Sequence, residues 1–102
     1  MKISSFNWDL YNETKCQKHG LTVQEIEEFF FLEPVFAEDP RHSEDEDRYL
    51  AFGPFRGKYV LCAFTFRVLK GELKIRVISA RYARKKEIEA MNEKTKAAKK
   101  ID

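Results

Sequence analysis

The stretch 58–68 constrains the fold more than any other part of the chain. It reads Lys-Tyr-Val-Leu-Cys-Ala-Phe-Thr-Phe-Arg-Val. It is nearly continuous in apolar residues, many of them aromatic or β-branched, and it lacks helical spacing. That pattern predicts a central strand. A central strand needs a partner along each edge, because unpaired backbone groups are costly to bury. The flanking residues supply both. Arg48–Phe55 reads as a strand, and the Pro54–Lys58 stretch around Gly57 reads as a turn. Lys70-Gly71-Glu72 is a tight connection to a further strand at Leu73–Ser79. There Leu73, Ile75 and Val77 alternate with Lys74, Arg76 and Ile78, as in a strand packed on one face. Val35–Glu38 is a short additional candidate.

The N-terminal part has a different rhythm. Lys2–Trp8 alternates, with Ile3, Phe6 and Trp8 apolar, and predicts a short first strand. Asp9 is placed to cap a helix running to about Lys18, with Gly20 as its stop. Thr22 starts a second helix, and Glu25 stands at capping-box spacing. Val23, Ile26, Phe29 and Phe30 recur at helical spacing and predict its core face, and Pro34 ends it. Phe29, Phe30 and Phe31 are consecutive and cannot all face inward. At least one is expected to be exposed or covered by another chain. A last helix is expected from about Ala83, with Ile88, Met91 and Thr95 on one side. Its end, Lys94–Asp102, has little apolar content and is expected to fray. The order is a strand, two helices, an antiparallel meander and a helix. Helices segregated from a run of strands predict an α+β fold. No repeat or low-complexity linker divides the chain, so residues 1–102 are expected to form one compact domain.

Composition narrows the classes further. A chain of 102 residues can bury one core without staples, and nine phenylalanines make that core aromatic. The net charge of +2 is too mild to mark a nucleic-acid binder by itself. Its distribution says more: the chain is mostly basic from Arg81 to Lys100. Such an end can bind phosphate or can be a solvated helix face, and charge alone favours the second. Cys16 and Cys62 form no Cys-x-x-Cys pair, which argues against a zinc site, and Cys62 is expected to be a buried thiol. The chain shows no signal-peptide pattern and no apolar stretch long enough to span a bilayer, so the cytoplasm is the default compartment. His19 and His42 lack companions at ligand spacing. Glu44 to Asp47 lack the glycine and periodicity of a calcium loop. Neither a metal nor a cofactor is expected.

Two charged segments remain. One is Arg41-His42-Ser43-Glu44-Asp45-Glu46-Asp47-Arg48-Tyr49. The other is Ile78-Ser79-Ala80-Arg81-Tyr82-Ala83-Arg84-Lys85-Lys86-Glu87, at a strand-to-helix handover. Cutting RNA without a metal requires a base for the 2′-hydroxyl, a cation for the phosphoryl charge and an acid for the leaving oxygen. The segments hold all three types. Arg48 and Arg81 are the leading cations, Asp47 or Glu46 the base, and His42 the acid or an RNA contact. Arg41, Lys58, Arg67 and Arg84 are further candidate RNA contacts, as is Glu46, and Arg76 and Glu44 complete the charged set. Simpler roles stand beside these. Residues 41–47 can be a solvated loop, Arg48 and Arg76 can pair across strands, and Arg81 can anchor the last helix. Tyr49 and Tyr59 can be core-edge aromatics.

In order and spacing these pieces resemble the BrnT family, ribonuclease toxins of bacterial toxin–antitoxin operons. The matching residues are Phe6-Asn7-Trp8-Asp9, Lys18-His19-Gly20, Arg41-His42-Ser43-Glu44 with Asp47-Arg48-Tyr49, and Ile78-Ser79-Ala80-Arg81 with Ala83 and Glu87. The resemblance covers roughly residues 6 to 90. It implies a fold similar to RelE-type messenger RNA interferases and RNA cleavage that halts translation. It also implies a ribbon-helix-helix antitoxin, in a two-plus-two complex that binds operator DNA. The family's charged motifs fall on Asp47, Arg48, Arg81 and Glu87, with Arg41, His42 and Glu44 upstream. The chain departs from the family pattern at Leu10, Tyr82, Arg84 and Met91. Tyr82 stands where a basic residue is common, and Arg84 where a small hydroxyl residue is common. A non-catalytic module that binds a protein or RNA is the alternative from another class.

Overall fold

The computed structural model describes residues 3–39 and 47–101, with side chains placed from Ser5 to Asp39 and from Asp47 to Glu93. The elements in order are β1 (Ile3–Phe6), α1 (Leu10–Cys16), α2 (Val23–Phe31), β2 (Val35–Glu38), β3 (Tyr49–Phe55), β4 (Lys58–Leu69), β5 (Glu72–Tyr82) and α3 (Lys85–Ile101). The strands form one sheet in the order β1-β5-β4-β3-β2. β2 to β5 pair antiparallel with their sequence neighbours, and β4 has a partner on each edge, as its apolar run predicts. β1 runs parallel to β5, so the α+β fold contains a mixed sheet.

Both long hairpins turn in two residues. Arg56 and Gly57, and again Lys70 and Gly71, have positive φ values of 51°, 82°, 53° and 79°. Two consecutive positive-φ residues form the type I′ turn, whose twist matches that of the strands, and glycine takes its second position without steric cost.

Both N-terminal helices start on capping boxes. Thr22 and Glu25 bond each other's backbone N–H, as their spacing predicts. At α1 the reciprocal pair is Asp9 and Asn12. Asn12 also reaches across the fold: its amide donates to the carbonyls of Asn7 and Val77 at 3.0 and 3.1 Å. β1 ends alongside Ile75, so β5 beyond that point has no strand on its outer edge. Asn12 and the Cys16 thiol satisfy the Val77 carbonyl there instead. Asn12 is only 2% exposed, so its removal would strand buried polar groups. Asn12→Ala is expected to lower stability by about 2–3 kcal/mol, measured by urea unfolding. Asn12→Asp should cost at least as much, because a carboxylate would face both carbonyls. A change in either variant within about 0.5 kcal/mol, the range of ordinary surface substitutions, would show that this contact holds nothing in place.

Four elements run differently from expectation, and one of them is β1, which ends at Phe6 rather than Trp8. α1 ends at Cys16, short of Lys18, and turns before Gly20. β5 continues past Ser79 to Tyr82, because Arg81 and Tyr82 still pair with Leu61 and Val60 and the Ala83 N–H bonds the Tyr59 carbonyl. α3 accordingly begins at Lys85 rather than Ala83.

The helices α1 and α2 lie on one side of the sheet. Cys16, Leu21, Ile26 and Phe29 pack there against Ala51, Phe55, Val60, Cys62, Phe64, Ile75, Val77 and Ala80. Of the three consecutive phenylalanines, Phe29 is buried, Phe30 is half-buried and Phe31 is 79% exposed. Both cysteines are buried and unpaired with each other. Burial pushes the Cys16 thiol up to about 11 and the Cys62 thiol higher still. Neither is a reactive thiolate at neutral pH. Among the described residues, no helix is long and apolar enough to cross a membrane.

Candidate nucleic-acid interface

Strand alternation sends the remaining side chains to the opposite face of the sheet. Register places Leu50 of β3, Leu61, Ala63 and Arg67 of β4, and Lys74, Arg76, Ser79 and Arg81 of β5 there together, and Arg48, just before β3, joins them. This face is cationic around an apolar strip. At its centre Arg48, Leu50, Leu61, Ala63, Ile78, Ser79 and Arg81 line a cleft of about 260 Å³. Lys15 and Asp39 complete the wall. Lys15 comes from α1, which packs along the edge of β5. A bulge in β5 shapes the floor: Ile78 is an extra residue between the Ala63–Ser79 and Phe64–Val77 pairs. Such a bulge increases local twist and re-aims neighbouring side chains.

Arg81 is firmly held in this cleft. Its two terminal nitrogens donate to the two carboxylate oxygens of Glu87 at 2.7 and 2.6 Å. Nη1 also donates to the Tyr82 carbonyl at 3.3 Å. A guanidinium has five N–H donors. Among the described residues, this leaves one edge of Arg81, Nε–H and an Nη2–H, for another acceptor. That edge can engage two phosphate oxygens together. Glu87 is itself fixed twice, because its Oε1 accepts the Arg84 backbone N–H at 2.8 Å. Arg84 occupies the cap position of α3, and its carbonyl accepts from the Ile88 N–H. Glu87 thus ties the start of α3 to the end of β5.

The Arg81 guanidinium holds the Glu87 carboxyl down at about 2, against an ordinary 4.5, with the Arg84 N–H assisting against partial burial. A lowered carboxyl pKa stabilises the fold only where the unfolded carboxyl would be ionised. The contribution is therefore complete above about pH 4.5 and is lost as the pH falls towards about 2. The full gap corresponds to about 3 kcal/mol. The two side chains are 31% and 29% exposed, and solvent screening reduces this to about 1–2 kcal/mol. Unfolding free energies at pH 6 and pH 2.5 should show wild type losing about that much more than Glu87→Gln. Other depressed carboxyls, Asp9 and Glu25, are common to both proteins and cancel. Equal losses would show that the pair contributes nothing to the fold.

The other candidates from the sequence fall in different places. Asp47 is exposed beside Arg48, and its carbonyl accepts the Thr65 hydroxyl at 2.6 Å. Arg67 shares the cationic face but lies outside the cleft. Arg76 is taken up structurally: it bonds Asn7 at 2.9 Å and Asp9 at 3.0 Å and is 17% exposed. Lys58 is on the helix side, its ammonium 4.8 Å from the Tyr82 ring centre. Arg84 is exposed at the cap of α3. Arg41, His42, Glu44 and Glu46 lie outside the described residues. Lys15 and Asp39 were not foreseen as site residues. Their charges carry no local pattern, and only the packing of α1 and the pairing of β2 with β3 bring them to the cleft.

A sheet face turned away from α1 and α2, with cations around an apolar floor, suits a protein that grips phosphodiester chains. The sequence comparison specifies the class. The family model described as "Ribonuclease toxin, BrnT, of type II toxin-antitoxin system" matches residues 8–87, and the chain belongs to that family. The matched span contains every residue lining the cleft and ends on Glu87. Membership makes the chain a ribonuclease toxin, with RNA as its substrate class and an antitoxin as its partner. Comparison with curated proteins gives no match.

Proposed function

We propose that the chain is a metal-independent endoribonuclease that halts translation in the cytoplasm, with a fold like that of RelE-type messenger RNA interferases. The observation that carries this is the meeting of Arg48 and Arg81 on one cleft of the sheet face turned away from α1 and α2. In the proposed reaction the 2′-hydroxyl of RNA loses its proton to a base and attacks the adjacent phosphorus. The bond to the 5′-oxygen breaks, and an acid protonates that oxygen. The products are a 2′,3′-cyclic phosphate and a free 5′-hydroxyl. Charge gathers on the non-bridging oxygens, where Arg48 and the open edge of Arg81 stabilise it.

The base is a carboxylate at the β2–β3 end of the cleft. Asp39 lines the wall, and Asp47 adjoins Arg48. The Asp39 N–H bonds the Arg48 carbonyl at 2.9 Å, which closes the two ends of this connection on each other. Glu46 and His42 belong to the intervening segment, and His42 is assigned the acid role. Arg41, Arg67 and Arg84 act as flanking RNA contacts. Held geometry and charge stabilisation carry more of the rate than a matched acid–base pair. The partner is a ribbon-helix-helix antitoxin, and the two-plus-two complex binds operator DNA.

The test is a time course of purified chain with RNA in excess chelator, followed by end-group analysis. Cleavage to cyclic-phosphate and 5′-hydroxyl ends is expected. Salt-sensitive binding without cutting would instead identify a plain RNA binder. Fragments carrying 5′-phosphates would exclude 2′-hydroxyl attack.

A further inference from the structure

The helix side of the sheet has an open part. Beneath the C-terminal turn of α2, Phe6, Phe30, Phe31, Phe36 and Ile75 line a groove of about 480 Å³, with Glu27 among them. Phe31 and Phe36 are 79% and 55% exposed. The groove crosses the strands. Phe6 comes from β1 at one edge of the sheet and Phe36 from β2 at the other, and Phe30 contacts both at 5.4 and 6.3 Å between ring centres. The outer two rings therefore lie at most about 12 Å apart. A helix with 1.5 Å rise per residue covers that distance in about eight residues. An aromatic surface of this extent on a small domain marks a place for a partner.

Charge selects the kind of partner. Glu27 lines the groove, and Glu38 lies on the same face of β2 as Phe36, two residues on. Among the described residues no lysine or arginine lines it. A second copy of the chain would set these carboxylates against their own equivalents, because a two-fold contact pairs a patch with itself. RNA is repelled by the same carboxylates. A basic amphipathic segment matches both the apolar floor and the acidic rim.

We propose that this groove docks the antitoxin, through an amphipathic helical segment of about eight residues whose apolar side fills the groove and whose flanks carry Lys or Arg. The proposal rests on the assignment of the chain as a toxin. The groove lies on the opposite side of the sheet from the Arg48–Arg81 cleft, so partner binding and RNA cleavage are separable by substitution.

The test titrates the full-length chain with the protein encoded by the adjacent reading frame, in a calorimeter. Phe36→Ser, Phe31→Ser with Phe36→Ser, and Glu38→Lys are compared with wild type. Circular dichroism checks that each variant folds. The serine variants are expected to weaken binding at least about 100-fold and Glu38→Lys about 10-fold, with RNA cleavage unchanged. Unchanged affinity in all three overturns the groove as the docking site, while RNA cleavage by wild type leaves the toxin assignment standing. Failure of the neighbouring protein to bind wild type also overturns the proposal. If RNA cleavage is absent as well, the toxin assignment falls with it. A dimer of the chain alone that Phe36→Ser dissociates would place a second copy in the groove and overturn the proposal.

Discussion

Arg81→Ala is expected to abolish growth arrest and to slow RNA cleavage by about 10²–10³-fold, the usual loss when one preorganised donor to a developing oxyanion is removed. The fold should survive. Arg81 is 31% exposed at its side chain, and Glu87 keeps its bond to the Arg84 N–H without it. The stability cost is that of one partly screened ion pair, about 1–2 kcal/mol. Arg81→Lys separates charge from geometry. Lysine keeps the cation but lacks the planar fork, so it cannot engage Glu87 with two nitrogens while offering a second edge to phosphate. It should recover binding to RNA but only a small part of the rate. Cleavage by the purified variants and growth of cells expressing them read the two effects. A fully toxic Arg81→Ala, folded by circular dichroism, would remove Arg81 from the site.

Arg81 and Arg76 show how far such a site can be read before the fold is known. Both are arginines on β5, and both face the same side of the sheet. In the sequence they differ only in distance from the strand end. In the fold Arg76 lies beside the β1–α1 connection and is spent on Asn7 and Asp9. Arg81 lies beyond the reach of β1 and opens on the cleft. The difference arises from β1 pairing parallel to β5, a contact between segments roughly 70 positions apart, and no local pattern encodes it. Local patterns did disclose what is locally determined. The Thr22–Glu25 capping box, the two hairpin turns and the central strand depend on neighbours within a few residues or on a simple period. Asn12 marks the boundary. Its capping role depends on Asp9 nearby, but its larger role at the Val77 carbonyl depends on α1 packing at the edge of the sheet. Lys15 enters the cleft by the same packing.

Phe29→Ala is expected to destabilise the chain by about 3–5 kcal/mol, whereas Phe31→Ala should change stability by less than about 0.5 kcal/mol. The residues are two positions apart on one helix and chemically identical, so intrinsic helix propensity cancels between them. Burial is what differs. Phe29 is fully buried, edge-on to Phe30 at 5.6 Å and to Phe55 at 6.5 Å between ring centres. Its ring also lies near Gly53, where an added Cβ would stand 3.6 Å from it and 3.3 Å from Pro34. The backbone of β3 therefore approaches α2 closely here, and little side-chain volume is at hand to refill the space that Phe29 vacates. The cost should lie towards the upper end of the range for a lost aromatic ring. Domains of this size have about 5–15 kcal/mol of total stability, so the variant would stand near unfolding. Urea midpoints of the two variants measure the contrast. Similar midpoints would mean that α2 does not anchor the core through Phe29. With the expected contrast, Phe29→Ala would lose toxicity by depleting folded protein, while Phe31→Ala would still cut RNA. Loss of toxicity in a phenylalanine variant is therefore assigned to the site only after its stability has been measured.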